Sequence, residues 1–145
     1  MYNTILVPVD GSDHSRAALD LASELISGES PTLHLLNVPE VPPFEGHVGL
    51  WTQGGAGGQI RETVEADARR ILAEAEASVK KPGIQFRHHL FWTPPAMAIV
   101  TAAEDLKVEA IVLGSRGLGS LKGLIIGSVS NKVLHSAKCR VVLVH

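Results

Sequence analysis

Five short apolar runs punctuate the chain, at residues 4–9, 33–38, 86–91, 110–113 and 141–144. Four of them are rich in Val, Ile and Leu with almost no polar alternation. Turn formers stand beside three of these: Asp10-Gly11, Pro39 and Gly114. That pattern predicts parallel strands buried on both faces. The run at 86–91, Phe-Arg-His-His-Leu-Phe, is more polar and predicts an edge strand. Between the runs the apolar spacing changes to three and four. Residues 15–26 place Ala18, Leu21, Ala22, Leu25 and Ile26 on one helical face, with Gly28 as a stop signal. Residues 60–80 do the same with Ile60, Val64, Ala68, Ile71, Leu72, Ala75 and Val79, and Pro82-Gly83 follows. Glu65 and Arg69 form an i,i+4 pair on the exposed face of that helix. Further helices are predicted over residues 95–106, with Thr93 as candidate N-cap and Pro94 in the first turn, and over 128–136 after Gly127.

Strict β-α alternation predicts an α/β fold: a doubly wound five-stranded parallel sheet with right-handed crossovers and helices on both faces. The connection at residues 39–59 has no periodicity and is far longer than a usual αβ loop. Its Gly54–Gly58 stretch lacks the preceding strand of a phosphate loop and reads as a hinge, and Trp51 as a cover for the sheet edge.

The length, 145 residues, fits a single domain spanning 1–145, and 45% hydrophobic residues suffice for a core. A net charge of −2 argues against a surface built for nucleic acid or anionic membrane. The single cysteine, Cys139, rules out an intrachain disulfide framework and a multi-cysteine zinc site. No apolar run approaches the ~20 residues of a membrane helix, and the opening residues lack the basic region of a signal peptide. The expectation is a cytoplasmic protein.

In open parallel sheets ligands bind beyond the carboxyl ends of the strands, where neighbouring crossovers leave in opposite directions. Two segments suit that place. One is Val9-Asp10-Gly11-Ser12. The other runs from Gly114 to Ser130 and carries five glycines within residues 114–127 before the last helix. Glycines let backbone amides approach a phosphate, and a helix N-terminus favours an anion. The P-loop tripeptide is absent, and the dinucleotide fingerprint fails at Lys122. The histidines show no metal-ligand spacing: adjacent His88 and His89 must point to opposite faces of a strand, which points to surface or edge roles.

Gly114, two residues, Gly117, nine residues, then Gly127-Ser128 resembles the ATP-binding signature of the universal stress protein family. The opening Ile5-Leu-Val-Pro-Val-Asp10-Gly-Ser12, the block Ile111-Val-Leu-Gly-Ser-Arg-Gly117 and the ending Cys139-Arg-Val-Val-Leu-Val144 are similar to the same family. The resemblance implies strand order 3-2-1-4-5 and an ATP site. Pro8, Val9 and Val38 would lie by the base, and Asp10 on its ribose or adenine side. Gly114, Gly117, Gly127, Ser128, Val129 and Ser130 would lie at the phosphates, with Arg116 as a charged helper. Mg²⁺ would be held through phosphate oxygens and water by Asp10 and Asp13, though Asp13 equally suits the cap of the first helix. One departure is Trp92-Thr-Pro-Pro95, where many relatives have a glycine before the third helix.

These observations favour an ATP-binding regulatory protein of the stress response, with an unknown protein partner. A slow ATPase or nucleotidyl-transfer enzyme is the alternative; Asp10, His14, Arg116 and Lys122 form no recognisable catalytic set for it. A phospho-receiver would need an acceptor Asp at the end of the third strand, and Phe91-Trp92-Thr93 has none. The uncharged run 141–144, at a sheet edge in the implied order, predicts a homodimer paired through the last strand.

Overall fold

The computed structural model describes residues 2–40, 56–116 and 126–145. Strands and helices alternate along them: β1 (Thr4–Pro8), α1 (Asp13–Leu25), β2 (Thr32–Asn37), α2 (Ala56–Ser78), β3 (Gln85–Leu90), α3 (Pro95–Asp105), β4 (Ala110–Gly114), α4 (Ser128–Ser136) and β5 (Arg140–Val144). The strands form one all-parallel sheet in the order β3-β2-β1-β4-β5. This is the expected doubly wound fold and strand order.

The period of two along each strand divides the core between the two faces. Ile5, Val7, Leu33, Leu35, Ala110 and Val112 meet Ala18, Leu19 and Ala22 of α1 and Leu72 of α2. On the opposite face Leu6, Leu36, Ile111 and Leu113 meet Ala98, Ile99, Ala102 and Ala103 of α3 and Val133 of α4. A strand with apolar residues at both parities can be satisfied only by a helix layer on each side. The central runs have that composition for this reason. Among the described residues no helix is long and apolar enough to cross a membrane.

Several boundaries differ from the periodicity. Helix α1 starts two residues early, at Asp13, because Ser12 rather than Asp13 is the cap and accepts the Ser15 N–H at 3.2 Å. Helix α2 begins at Ala56, so Gly57 and Gly58 are helical and not part of a hinge. Glycine costs about 1 kcal/mol in a helix interior, and the packing of Ile71, Leu72, Ala75 and Val79 against the core offsets it. The same helix stops at Ser78, short of Pro82-Gly83. Lys81, beyond its end, donates to the carbonyls of Ser23 and Ile26 and so caps α1. Thr93 does not cap α3. Pro94 takes the N-cap position without a side-chain bond, with Pro95 next. A residue preceding proline is driven out of the helical region, and the second proline therefore moves the helix start one position beyond Thr93. The expected pair Arg69–Glu65 forms at 2.7 Å on the exposed face. Trp51 lies outside the described residues.

The edge strand β3 holds a pair that strand patterning did not reveal. His88 and His89 face opposite sides as expected, and His88 meets Glu76 of α2 at 2.6 Å. His89 instead turns to His34 of β2, with Nε2 and Nδ1 2.9 Å apart. His34 is buried. One ring must donate and the other accept, so the contact requires at least one imidazole to be neutral. Burial holds the His34 pKa below its ordinary value, helped by His89 and by Arg87, the residue beside it in register. The His89 pKa is lowered by burial and then by His88.

A histidine whose folded pKa is lowered binds its proton more readily in the unfolded chain. The contribution of the pair is therefore complete above the ordinary histidine value and is lost as pH falls below it. Denaturant midpoints measured from pH 8 down to pH 5 should decline over the lower half of that range. His34→Gln should flatten the decline, and an equally steep decline in that variant would place the acid sensitivity elsewhere.

Candidate functional site

A proline interrupts the ladder at the centre of the sheet. Val9 donates its N–H to Leu36 of β2 at 2.8 Å, while Thr4 accepts from Glu109 on the β4 side. Backbone groups alternate in direction along a strand, so Pro8 turns toward β4 the position where an N–H would stand. The β1–β4 register covers only Ile5↔Ala110 and Leu6↔Ile111, whereas β1 pairs with β2 through Pro8↔Leu36. Beyond Leu6 the two central strands share no registered pair. Crossovers leave them toward opposite faces, which is the geometry of a ligand crevice.

On one side of the crevice is the turn after β1. Gly11 has φ +83°, a conformation that glycine adopts without strain. Asp10 Oδ1 accepts the Ser12 N–H at 2.9 Å, an Asx turn that fixes the carboxylate. Ser12 caps α1, and the Ser15 hydroxyl returns to the Ser12 carbonyl at 3.0 Å. Below the turn lies Asn37, buried at the end of β2. Its Nδ2 donates to the Val9 carbonyl at 2.7 Å, and its backbone carbonyl accepts Phe91 N–H at 3.2 Å. Pro8 and Asp10 are half-buried, Val9 is buried, and Val38 packs against the α3–α4 core.

On the other side is the end of β4. A Cβ placed on Gly114 would lie 2.7 Å from His14 Cβ and 2.8 Å from the His14 backbone carbon. Gly114 is thus needed to admit the first turn of α1, a reason that the glycine spacing did not disclose. Ser115 is buried and ties three segments together. Its N–H reaches the Val144 carbonyl (2.7 Å), its carbonyl accepts the Gly127 N–H (2.6 Å), and its hydroxyl meets His145 Nδ1 at 3.3 Å. The imidazoles of His14 and His145 are 6.1 Å apart. Gly117 and Lys122 lie outside the described residues.

Arg116 follows Ser115. Its Nε is buried and has no hydrogen-bond partner among the described residues. Gly127 is the N-cap of α4 and offers no side-chain bond; the first turn has no acidic residue. The first intrahelical bond is Asn131 N–H to the Gly127 carbonyl at 3.0 Å, which leaves the amides of Ser128, Val129 and Ser130 without intrahelical acceptors. Helix α1, by contrast, is capped by Ser12 and carries Asp13 in its first turn. Of these two helix ends, α4 is the one electrostatically open to an anion. Ser128 is exposed. Ser130, expected to offer its hydroxyl, is buried and donates to the Gly114 carbonyl at 2.8 Å, so its side chain joins α4 to β4.

Most of the anticipated residues therefore converge on one end of the sheet. Sequence reasoning missed Asn37, Ser115 and the His14–Gly114 contact. Asn37 had a readable signal: a polar side chain ending an apolar run is buried, and buried polar groups have partners. The other two depend on pairings between distant parts of the chain.

A model of the universal stress protein family matches residues 1–145. The universal stress protein YxiE of Bacillus subtilis is 32% identical, with 99% of each chain covered. Among solved structures, hypothetical protein MJ0577 superposes with a TM-score of 0.81 at 23% identity, covering 99% of this chain and 96% of that one. A universal stress protein in complex with cAMP gives a TM-score of 0.60 at 26% identity, covering 99% and 97%.

The space at Gly114 gives a direct test of how the crevice is built. Gly114→Ala forces an overlap with backbone that cannot yield easily, and should cost about 1–3 kcal/mol. Gly58→Ala, where a Cβ would meet nothing within 4 Å, should be neutral or stabilising by up to about 1 kcal/mol. Thermal unfolding of the two variants compares them, and equal stability would refute the close approach of α1 to β4.

Proposed function

Since the chain belongs to the universal stress protein family, we propose that it is an ATP-binding regulatory protein of the stress response. It acts through its nucleotide-dependent state rather than through rapid catalysis. The observation that carries this reading is the uncapped N-terminus of α4, whose cap Gly127 bonds to the residue before Arg116, together with the buried Nε of Arg116 that has no partner among the described residues. A buried donor without an acceptor costs about 1–3 kcal/mol, and phosphate oxygens are the acceptors that both features lack. The cAMP complex of a relative with the same fold supports an adenine nucleotide as the bearer of that phosphate.

In this reading Pro8, Val9 and Val38 lie by the base, and Asp10 on the ribose or adenine side. Gly114, Gly117, Gly127 and the amides of Ser128, Val129 and Ser130 lie by the phosphates. Ser128 adds a hydroxyl and Arg116 a charge. Mg²⁺ enters as the companion of a triphosphate, held through its oxygens and water. Calorimetry on the wild type and on Arg116→Leu tests the site. ATP affinity should fall roughly tenfold or more in the variant, the magnitude of a charge-assisted hydrogen bond. Phosphate release should stay far below ~1 s⁻¹, the low end of ordinary enzymes. Undiminished ATP binding by a folded Arg116→Leu would overturn the assignment.

A homodimer through β5 is part of the same proposal. The strand lies at the sheet edge, and Val141–Val144 are apolar yet only half-buried. Val144 directs its carbonyl to Ser115 on the β4 side. By alternation Val142 also faces β4, and Val141 and Leu143 present their backbone groups to the open edge. Proline at position 142 would break the internal ladder; Leu143→Pro removes an outward donor instead. Light scattering should give a dimer for the wild type and a monomer for Leu143→Pro. A monomeric wild type at tens of micromolar would overturn the pairing.

A further inference from the structure

Asn37 occupies an unusual position in the sheet. Its backbone carbonyl is directed to β3, where it accepts from Phe91, and its side chain turns back to β1 and donates to Val9. A carbonyl can only accept, so the group facing Val9 is the amide NH₂. One buried residue thus holds the carboxyl ends of three strands at fixed spacing, at the height where the β1–β4 register has already ended.

The stretch so anchored is short and leads directly to the crevice. Val9 precedes Asp10, whose carboxylate is set by the Ser12 amide, and Val38 follows Asn37. With β1 unpaired on the β4 side beyond Leu6, the restraints on Val9 come from β2: the Leu36 carbonyl on its N–H and the Asn37 amide on its carbonyl. Losing the second leaves a buried acceptor unsatisfied and frees the segment to pivot about the first.

We infer that Asn37 is a positioning residue of the nucleotide site, setting the spacing between Val9-Asp10 and Val38 against which the nucleoside part of the ligand fits. The inference rests on the nucleotide-binding reading of the crevice. Asn37 touches no ligand group in this account; it acts through the Val9 carbonyl. Its effect is confined to the β1–β2 side, because the phosphate side is held by an independent set of bonds through Ser115, Gly127 and Ser130.

Three variants test this. Asn37→Asp keeps the shape but places an acceptor against the Val9 carbonyl. Asn37→Ala deletes the group, and Asn37→His restores a ring N–H at a similar reach. Calorimetry with AMP, ATP and inorganic tripolyphosphate should show AMP and ATP weakened roughly tenfold by Asp and Ala, as expected for one lost buried hydrogen bond. Tripolyphosphate should be unchanged, and His should recover most of the loss. Hydrogen exchange on the ligand-free protein supplies a readout that does not depend on any nucleotide. The Asp10 and Ser12 amides should lose protection in Asn37→Asp while those of β4 keep theirs. If the wild type bound no adenine nucleotide, the functional reading would fall while the exchange result still judged the positioning role. Unchanged exchange at Asp10 and Ser12, full AMP affinity in a folded Asn37→Ala, or an equal loss of tripolyphosphate binding would each overturn the inference.

Discussion

The absence of one backbone donor organises this molecule. Proline is normally excluded from a central strand because it deletes a ladder bond. At Pro8 the deleted bond faces β4, and β1 and β4 stay paired only through Ile5 and Leu6. Above that level no registered pair joins the two central strands, and the chain leaves them on opposite faces. The turn after β1 enters α1 on one face, and the segment after β4 returns to α4 on the other. A valine at position 8 would offer a donor to β4, and zipping of the two strands would compete with the crevice. The end of the central ladder is therefore encoded in covalent structure.

What lines the opening follows from how each helix start is satisfied. Helix α1 meets its own needs: Ser12 caps it, Asp13 answers its dipole, and Gly114 makes room for its first turn. Helix α4 meets none of them internally, having a glycine at its cap and no acid in its first turn. Such an end is tolerated at a solvent-facing crevice because water satisfies it when no anion does. The unpartnered Nε of Arg116 cannot be explained in that way, since it is buried. In the proposed nucleotide reading, the self-contained wall would face the neutral end of the ligand and the electropositive wall its anionic end.

Most of the fold was legible in the sequence because its determinants are local. Period two against period three or four, and glycine or proline at the junctions, are visible without knowing any neighbour. The strand order was not legible in that sense; it came through resemblance and agrees with the structure. The candidate site was legible as a set of segments but not as a set of roles. Gly114 belongs at the crevice, yet its missing side chain accommodates His14. Ser130 belongs there too, yet its hydroxyl is engaged with Gly114. Both facts depend on contacts between residues far apart in the chain, which spacing within a motif cannot carry. The His34–His89 pair was hidden for the same reason. Each histidine alone is an ordinary strand residue, and only the β2–β3 register brings the two rings together.

The two edges of the sheet complete the argument about what the surface is for. On β3, Gln85, Arg87 and His88 are exposed, and His88 is engaged by Glu76, so the edge carries polar side chains with the Arg87 charge at its middle. Charged side chains are the ordinary protection against strand addition. On β5, Arg140 is the sole charged residue and stands at the strand's beginning, leaving four apolar residues toward the crevice end. The neighbouring strand of that edge is β4, and Ser115 bonds directly to Val144. Any chain that pairs with β5 therefore presses on a strand whose last residue shares a hydrogen bond with the stem of the glycine segment. A partner at this edge and an anion at α4 would act on the same few bonds, through Ser115 and Gly127. In the proposed dimer, occupancy of the crevice would thus have a hydrogen-bonded route to the sheet edge through Ser115 and Val144.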